Sequence, residues 1–536
     1  MTLPPHAREP DKTDYLIALA VGVCALAAYV RTLAPDVLYG DSAEFQTLAY
    51  TLGITHSTGY PIYLLLARLL GFLPVGSPAW RVNLLSALSA AVTLSNVFLL
   101  ARYLTRSRIG ALLGSVALGL SYTFWAQAVI AEVYTPALAF LSASVLLLWR
   151  WHSAPLEHKR ALLFAALLAG LGLGVHAFVV LVAPAAVAFV VWTLWVRRAT
   201  WPQWRQCLAV ACLGLALGVG LYLLASFAID VHDPPSSFYR VMLYPSRSIW
   251  GLEAADMDTP FERWVLTVTG RQWQDAMFPG GSGFLWDGLM NYGERLWTQE
   301  FSPLILAGAL LGLAVMLCTT PQLGGFVLLA FVTMLFFILN YEPPDKYIFY
   351  LPTYVLIAVA LGTGVGFPLE WAQRHLAARQ RLYLPLYLLA VALLGWMIVQ
   401  PYGASRWQAL RAGAATFVQE DYAYPLADLE EPRLTAHWQL KQLPDHALLI
   451  AEWRALYTMY YLAHVEGERP DITIMEASPH GGEGLVADTL IQVLEDAMQE
   501  GRPVFADRVY GNLRDHFRVL PASGGQWYRF SLPKTD

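Results

Sequence analysis

Apolar residues fall into long blocks separated by short polar connections from Tyr15 to Tyr402, and then the blocks stop. A helix that crosses about 30 Å of hydrocarbon needs roughly 20 apolar residues. Eleven stretches come near that length: 15–34, 82–101, 109–124, 133–149, 161–175, 177–196, 207–229, 303–318, 323–340, 347–366 and 383–401. Each predicts a membrane-spanning helix. A further stretch, 59–73, is shorter, contains Arg68 and is bracketed by Pro61 and Pro74, which predicts an interfacial or re-entrant helix. Beyond Tyr402 the period changes. Short apolar runs at 447–452, 472–475 and 503–506 predict buried strands, and helical patterns at 454–464 and 485–500 separate them. The expected architecture is a polytopic α-helical membrane domain over 1–402, with outer loops 35–81 and 230–300, followed by a small soluble α/β domain with a partly parallel sheet over 403–536.

Composition agrees with a lipid solvent: 57% of the residues are hydrophobic and 14% charged, where soluble proteins carry roughly 25% charged residues. The net charge of −5 speaks against a nucleic-acid binder. Cys24, Cys207, Cys212 and Cys318 all lie in apolar stretches, with spacing that fits neither a zinc site nor a disulfide framework. The N-terminal twelve residues are polar and mixed in sign, and no small-residue cleavage site follows, so the first span is expected to be retained.

Lys and Arg collect in short cytoplasmic loops, and they orient the chain. With the N-terminus inside, the cytoplasmic connections hold Arg102, Arg106 and Arg108, then Arg150, Lys159 and Arg160, then Arg197, Arg198 and Arg205, then Arg374, Arg379 and Arg381. The short connections on the other side, around Gln127 and Val175, carry none. The loops 35–81 and 230–300 and everything after Tyr402 are therefore expected outside the cytoplasm. No repeat of 20 to 50 residues recurs.

The candidate chemistry gathers on that outer side. Asp41 and Glu44 directly follow the first span; if Asp41 caps a helix running to about Tyr50, the spacing of three puts both carboxylates on one face. An acidic first turn alone would explain them equally well. His56 and Tyr60 flank a turn between the two short helices, Arg81 and Asn83 open the second span, Glu132 opens the fourth, and His176 stands at the bend between the fifth and sixth. Ionisable groups at such depths tend to face a cavity. In the 340–347 loop, Asp345 and Lys346 offer a carboxylate and an ammonium, and Lys346, Arg81 or Arg247 would match a phosphate at the interface. No Walker loop, nucleophile elbow or zinc-protease helix is present in the sequence.

The first loop also carries Gly40-Asp41-Ser42-Ala43-Glu44, the run from Thr51 to Tyr63 around His56-Ser57-Thr58-Gly59-Tyr60-Pro61, and Arg81-Val82-Asn83-Leu84-Leu85. Together with Trp125 through Tyr134, Gly172-Leu173-Gly174-Val175-His176 and Asp345-Lys346-Tyr347, these resemble a family of membrane proteins long known as a domain of unknown function, which includes an animal protein O-mannosyltransferase. The tail motifs Leu443-Pro444-Asp445-His446 and Glu466-Gly467-Glu468-Arg469-Pro470-Asp471 resemble its prokaryotic members. Ala43 and Ser57-Thr58-Gly59 depart from a family pattern of Gly and of a Pro-Pro-Gly-like turn. The resemblance implies a GT-C glycosyltransferase in a prokaryotic plasma membrane. Such an enzyme takes a sugar from a polyprenyl-phosphate carrier and passes it to a protein or glycan acceptor outside the cytoplasm, among membrane lipids and with or without a divalent metal. It also implies an acidic base in the first outer loop, assigned here to Asp41, with Glu44 as companion. Many spans with buried charges also describe a transporter or flippase of lipid-linked glycans.

Overall fold

A computed structural model describes residues 9–376, 380–418, 424–476, 486–522 and 525–533. The N-terminal residues 1–8 and Arg379, both used in reading retention and orientation, lie outside the described residues, as does the side chain of Arg381. Helix α1 (Lys12–Arg31) opens with Asp11 and Asp14 capping one another reciprocally. The first loop holds α2 (Gly40–Thr51) and α3 (Pro61–Leu70) and leads into α4 (Pro78–Leu104), which starts on Pro78 with Ser77 as its cap. Then follow α5 (Arg108–Leu120), α6 (Tyr122–Ala128), α7 (Tyr134–Ser153), α8 (Lys159–Leu173), α9 (Ala183–Val196) and α10 (Trp201–His232). The second long loop carries α11 (Pro260–Val268) and α12 (Ser282–Arg295), before α13 (Pro303–Thr319), α14 (Pro321–Leu339), α15 (Leu351–Leu376) and α16 (Gln380–Ala412).

All eleven predicted apolar stretches are helical. By length and apolarity, seven helices among the described residues qualify as membrane spans, or up to nine when two bent pairs are each taken as one. One pair is α5 with α6, bent by 69°; the other is 282–300 with α13, bent by 115°. The stretches expected at 133–149 and 161–175 are α7 and α8, which stand outside those nine. The 59–73 stretch is α3, ten residues long and too short to cross.

Small residues let helices touch backbone to backbone, which is how membrane helices associate when no hydrophobic force separates them from lipid. A Cβ on Gly312 would stand 1.8 Å from the Ala360 carbonyl oxygen, and one on Gly364 1.9 Å from that of Gly308, so α13 and α15 meet at bare backbone. At the end of α4, Arg102 reaches the buried Asp14 carboxylate at 3.0 Å and Arg108 joins it at 2.8 Å, tying α1, α4 and α5. The pair is enclosed by helices, as an ionic group at a bundle end must be.

Helix α16 continues to Ala412, past the expected boundary at 402, and α17 (Glu431–Lys441) follows. A five-stranded sheet comes next, in the order β2-β1-β3-β5-β4: β1 (Leu448–Ala451) lies parallel to β2 (Thr473–Glu476) and β3 (Val504–Ala506), while β5 (Tyr528–Ser531) runs antiparallel to both β3 and β4 (Arg518–Pro521). Interior strand β1, between β2 and β3, is buried on both faces, as parallel strands are. Leu448 and Ile450 pack on α19 (Asp488–Gln499), while Leu449 and Ala451 join the same apolar core as α2, α4 and α18 (Trp453–Tyr460).

Gly312→Val should separate α13 from α15: the purified protein is expected to melt several degrees lower or to fail to accumulate, whereas Gly220→Ala, with open space around its Cβ, melts like the parent.

Candidate active site

Gly40 takes a φ of +60°, a left-handed backbone that a glycine adopts without penalty, and the chain turns there into α2. The cap is Tyr39, with no side-chain capping bond, so Asp41 is not the helix cap that its spacing predicts. Asp41 instead stands in the first turn with its carboxylate free for other partners. The Trp453 indole N–H donates to Asp41 Oδ1 at 2.7 Å, and Oδ2 makes no hydrogen bond among the described residues.

One turn further, Glu44 is completely buried, and a buried carboxylate must be paired. Its partner is His56: the backbone N–H donates to Oε1 at 2.8 Å, and Nδ1 meets Oε2 at 2.5 Å. Burial lowers the proton affinity of His56, but the carboxylates of Glu44 and Asp41 more than offset it and push its pKa up to about 10. The proton of the pair therefore sits on the imidazole. Both Glu44 oxygens are occupied, which makes the residue a fixed anchor for α2 and the 56–61 turn.

From His56 an aromatic chain leads inward. Its ring stands edge-on to Tyr60 and Trp453, 5.3 and 6.0 Å away. Tyr60 stacks on His176 at 5.6 Å, and Tyr134 lies 5.2 Å from the same imidazole. Burial, with the His56 charge nearby, lowers the His176 pKa to about 3, so that ring is neutral; its Nδ1 accepts from the Phe178 amide. The Tyr134 hydroxyl donates to Asp345 Oδ2 at 2.9 Å. Burial and then the charge of Asp41 raise Asp345 to about 6, and burial followed by the charges of Asp41 and Asp345 drives Glu132 well above the carboxylate range. Reciprocal bonds between Ser86 Oγ and the Glu132 backbone hold that residue in place.

Asp41, Glu44, His56, Tyr60, Glu132, His176 and Asp345 thus surround one place. The other predicted residues have protein partners of their own. Arg81 donates to the carbonyls of Gly71, Val75 and Gly76, closing the 71–76 turn. Asn83 bonds Ala34 and Gln46, joining the ends of α1, α2 and α4 inside the fold. Arg247 bonds the Tyr244 carbonyl and covers the Tyr244 ring. Lys346 pairs with Glu342 at 2.6 Å and lies over Phe284. Among the described residues no three His, Cys, Asp or Glu side chains converge closely enough to hold a metal ion.

Two members of the site were not singled out from sequence. Tyr134 was visible only as the end of a motif. Trp453 lies 412 positions from Asp41, and nothing local marks it.

Residues 41–200 match the model of the protein O-mannosyl-transferase TMEM260 N-terminal domain. Mouse protein O-mannosyl-transferase TMEM260 is 34% identical over 145 residues, which is 27% of this chain and 21% of the relative, so the likeness spans about a fifth of that protein. Among solved structures, ArnT from Cupriavidus metallidurans bound to undecaprenyl phosphate superposes with a TM-score of 0.56 at 12% identity, covering 98% of this chain and 99% of the other. Its apo form gives 0.51 at 14% identity, covering 97% and 99%. The chain has the ArnT fold. The expected architecture, a polytopic helical protein with a small C-terminal α/β region, is what the structure shows.

A histidine whose folded pKa is about 10 stabilises in full below the unfolded value, about 6.5, and loses that contribution as pH rises through about 10. The melting temperature should fall between pH 7 and pH 10, and His56→Asn should remove that part of the slope; a slope kept in the variant would mean the pair is not charged.

Proposed function

We propose that this chain is a membrane glycosyltransferase that moves a hexose, such as mannose, from a polyprenyl-phosphate carrier to a hydroxyl of a protein or glycan on the non-cytoplasmic side, with inversion at the anomeric carbon. The observation that carries this reading is Asp41: one carboxylate oxygen is held by Trp453 and the other is open, at the head of a helix beside the membrane domain. Asp41, Glu44, His56, Tyr60, Glu132, Tyr134 and His176 all fall in the stretch that matches the O-mannosyl-transferase domain. The shared fold includes a structure described as bound to undecaprenyl phosphate, which supports a lipid-phosphate donor. The basic loops support the outer placement of the site. In this reading residues 1–402 form the transferring body and 403–536 a soluble α/β domain on the same, non-cytoplasmic side.

The chemistry follows from the groups in place. An acceptor hydroxyl attacks the anomeric carbon, its proton passes to Asp41 Oδ2, and the bond from that carbon to the phosphate oxygen breaks with its electron pair on the lipid phosphate. One base and no enzyme-bound intermediate give inversion, unlike the two-carboxylate covalent route. Positive charge builds on the sugar ring, and the surrounding carboxylates favour it. Glu132, whose proton affinity burial raises furthest, and Asp345 are the carboxyl groups assigned to the sugar hydroxyls. Lys346, next in chain to Asp345, is the cation assigned to the leaving phosphate, with Arg247 the second candidate.

Asp41→Asn should lower transfer of labelled mannose from polyprenyl-phosphate mannose to membrane acceptors by about 10²-fold or more, with the donor KM little changed. Transfer at the parent rate would remove Asp41 as the base.

A further inference from the structure

The base identified above does not stand on the membrane domain alone. The partner of its carboxylate comes from α18, the helix that follows the first strand of the C-terminal sheet. Helix α18 is not loosely apposed to the first loop. Thr458 Oγ1 donates to the Leu38 carbonyl at 2.7 Å, Thr47 Oγ1 to the Tyr457 carbonyl at 3.0 Å, and the Tyr457 hydroxyl to the Ser236 carbonyl at 3.1 Å. Beside it, Arg433 of α17 holds both oxygens of Asp36 at 2.6 and 2.7 Å. These bonds fix α18 against α2 from both ends, and the Trp453 ring fills the space between His56, Phe238 and Tyr457.

We propose that Trp453 is a positioning residue for Asp41, so that the transfer centre is complete only when the C-terminal α/β segment is docked on the first loop; this rests on the reading of Asp41 as the base. The physical ground is the softness of an aspartate's terminal torsion, which has no sharp staggered wells. Asp41 sits partly exposed in a first helical turn, with Trp453 its one hydrogen-bond partner among the described residues. An indole N–H is a donor only, so it holds Oδ1 and leaves Oδ2 without a hydrogen bond among the described residues, without competing for the acceptor's proton. A base held within a fraction of an ångström by a rigid neighbour is what taking the proton from a weak hydroxyl nucleophile requires.

Trp453→Phe keeps an aromatic ring against Phe238 and Tyr457 but removes the N–H. Replacing the residue with benzothienylalanine keeps the full bicyclic shape and still cannot donate, which covers the case in which the phenylalanine variant does not fold. With polyprenyl-phosphate mannose as donor, both variants are expected to lose about tenfold in kcat, with donor KM within twofold and melting temperature within a degree or two of the parent. A parent-level kcat in the benzothienylalanine protein overturns the proposal, as does a loss that appears in KM or in melting temperature instead. The two failures are distinguishable: an active Asp41→Asn protein removes the base itself, whereas an inactive one beside a fully active Trp453 variant removes only the positioning role.

Discussion

A carboxylate with no access to water must have a fixed partner, and Glu44 is the point on which the first loop is built. Helix α2 is short and would not persist alone. Its orientation is set by Glu44 on His56, by Gln46 on Asn83 and the Leu38 amide, and by Thr47 on the Tyr457 carbonyl. Because Asp41 lies three residues before Glu44, fixing the buried carboxylate fixes the exposed one. The two acids therefore divide the work: Glu44 is immobilised by an imidazolium, and Asp41 keeps an open oxygen. A buried ion pair is weak evidence of stability, but as a device that sets register it has a clear use here.

The same constraint reaches the C-terminal region. Its interior strand β1 sends Leu448 and Ile450 to one face and Leu449 and Ala451 to the other, and the second face shares its core with α2, α4 and α18. Because that core is continuous, the α/β segment cannot tilt without opening apolar surface beside the site. Close packing transmits such placement with little slack, and this is how a side chain from position 453 comes to act at position 41.

Much of the membrane plan was legible because hydrocarbon demands unbroken apolar length, and that demand is local in sequence. The parallel strands were legible for a similar reason: buried on both faces, they read as short continuous apolar runs. Strands β4 and β5 were not. They are segments of four residues with Arg518 and Arg529 among them, β4 on the sheet edge and β5 beside it with Phe530 alone fully buried, so neither carries a continuous apolar run. Ionisable residues in the first loop flagged the site, yet residue type alone did not separate site from scaffold. Arg81 and Arg247 have the chemistry of phosphate ligands, and only the carbonyls around Arg81 show that its donors are engaged. The Asp41 capping role failed for a related reason, since a glycine at +60° let the chain enter the helix two residues earlier.

The charge pattern around the site bears on how the proposed transfer is driven. Asp41, Glu132 and Asp345 stand together with His56 as the cation among them, so the cluster is negative wherever those acids ionise. A sugar leaving its phosphate carries positive charge on the ring and negative charge on the departing oxygens. In the proposed reaction, carboxylates around the ring and the Lys346 ammonium, once drawn from Glu342 to the phosphate, would oppose charges of the right sign to each end of the breaking bond. A carboxylate beside the ring then meets a neutral sugar in the ground state and a cationic one as the bond breaks. Its interaction with the substrate strengthens during the reaction, and only a strengthening of that kind lowers a barrier.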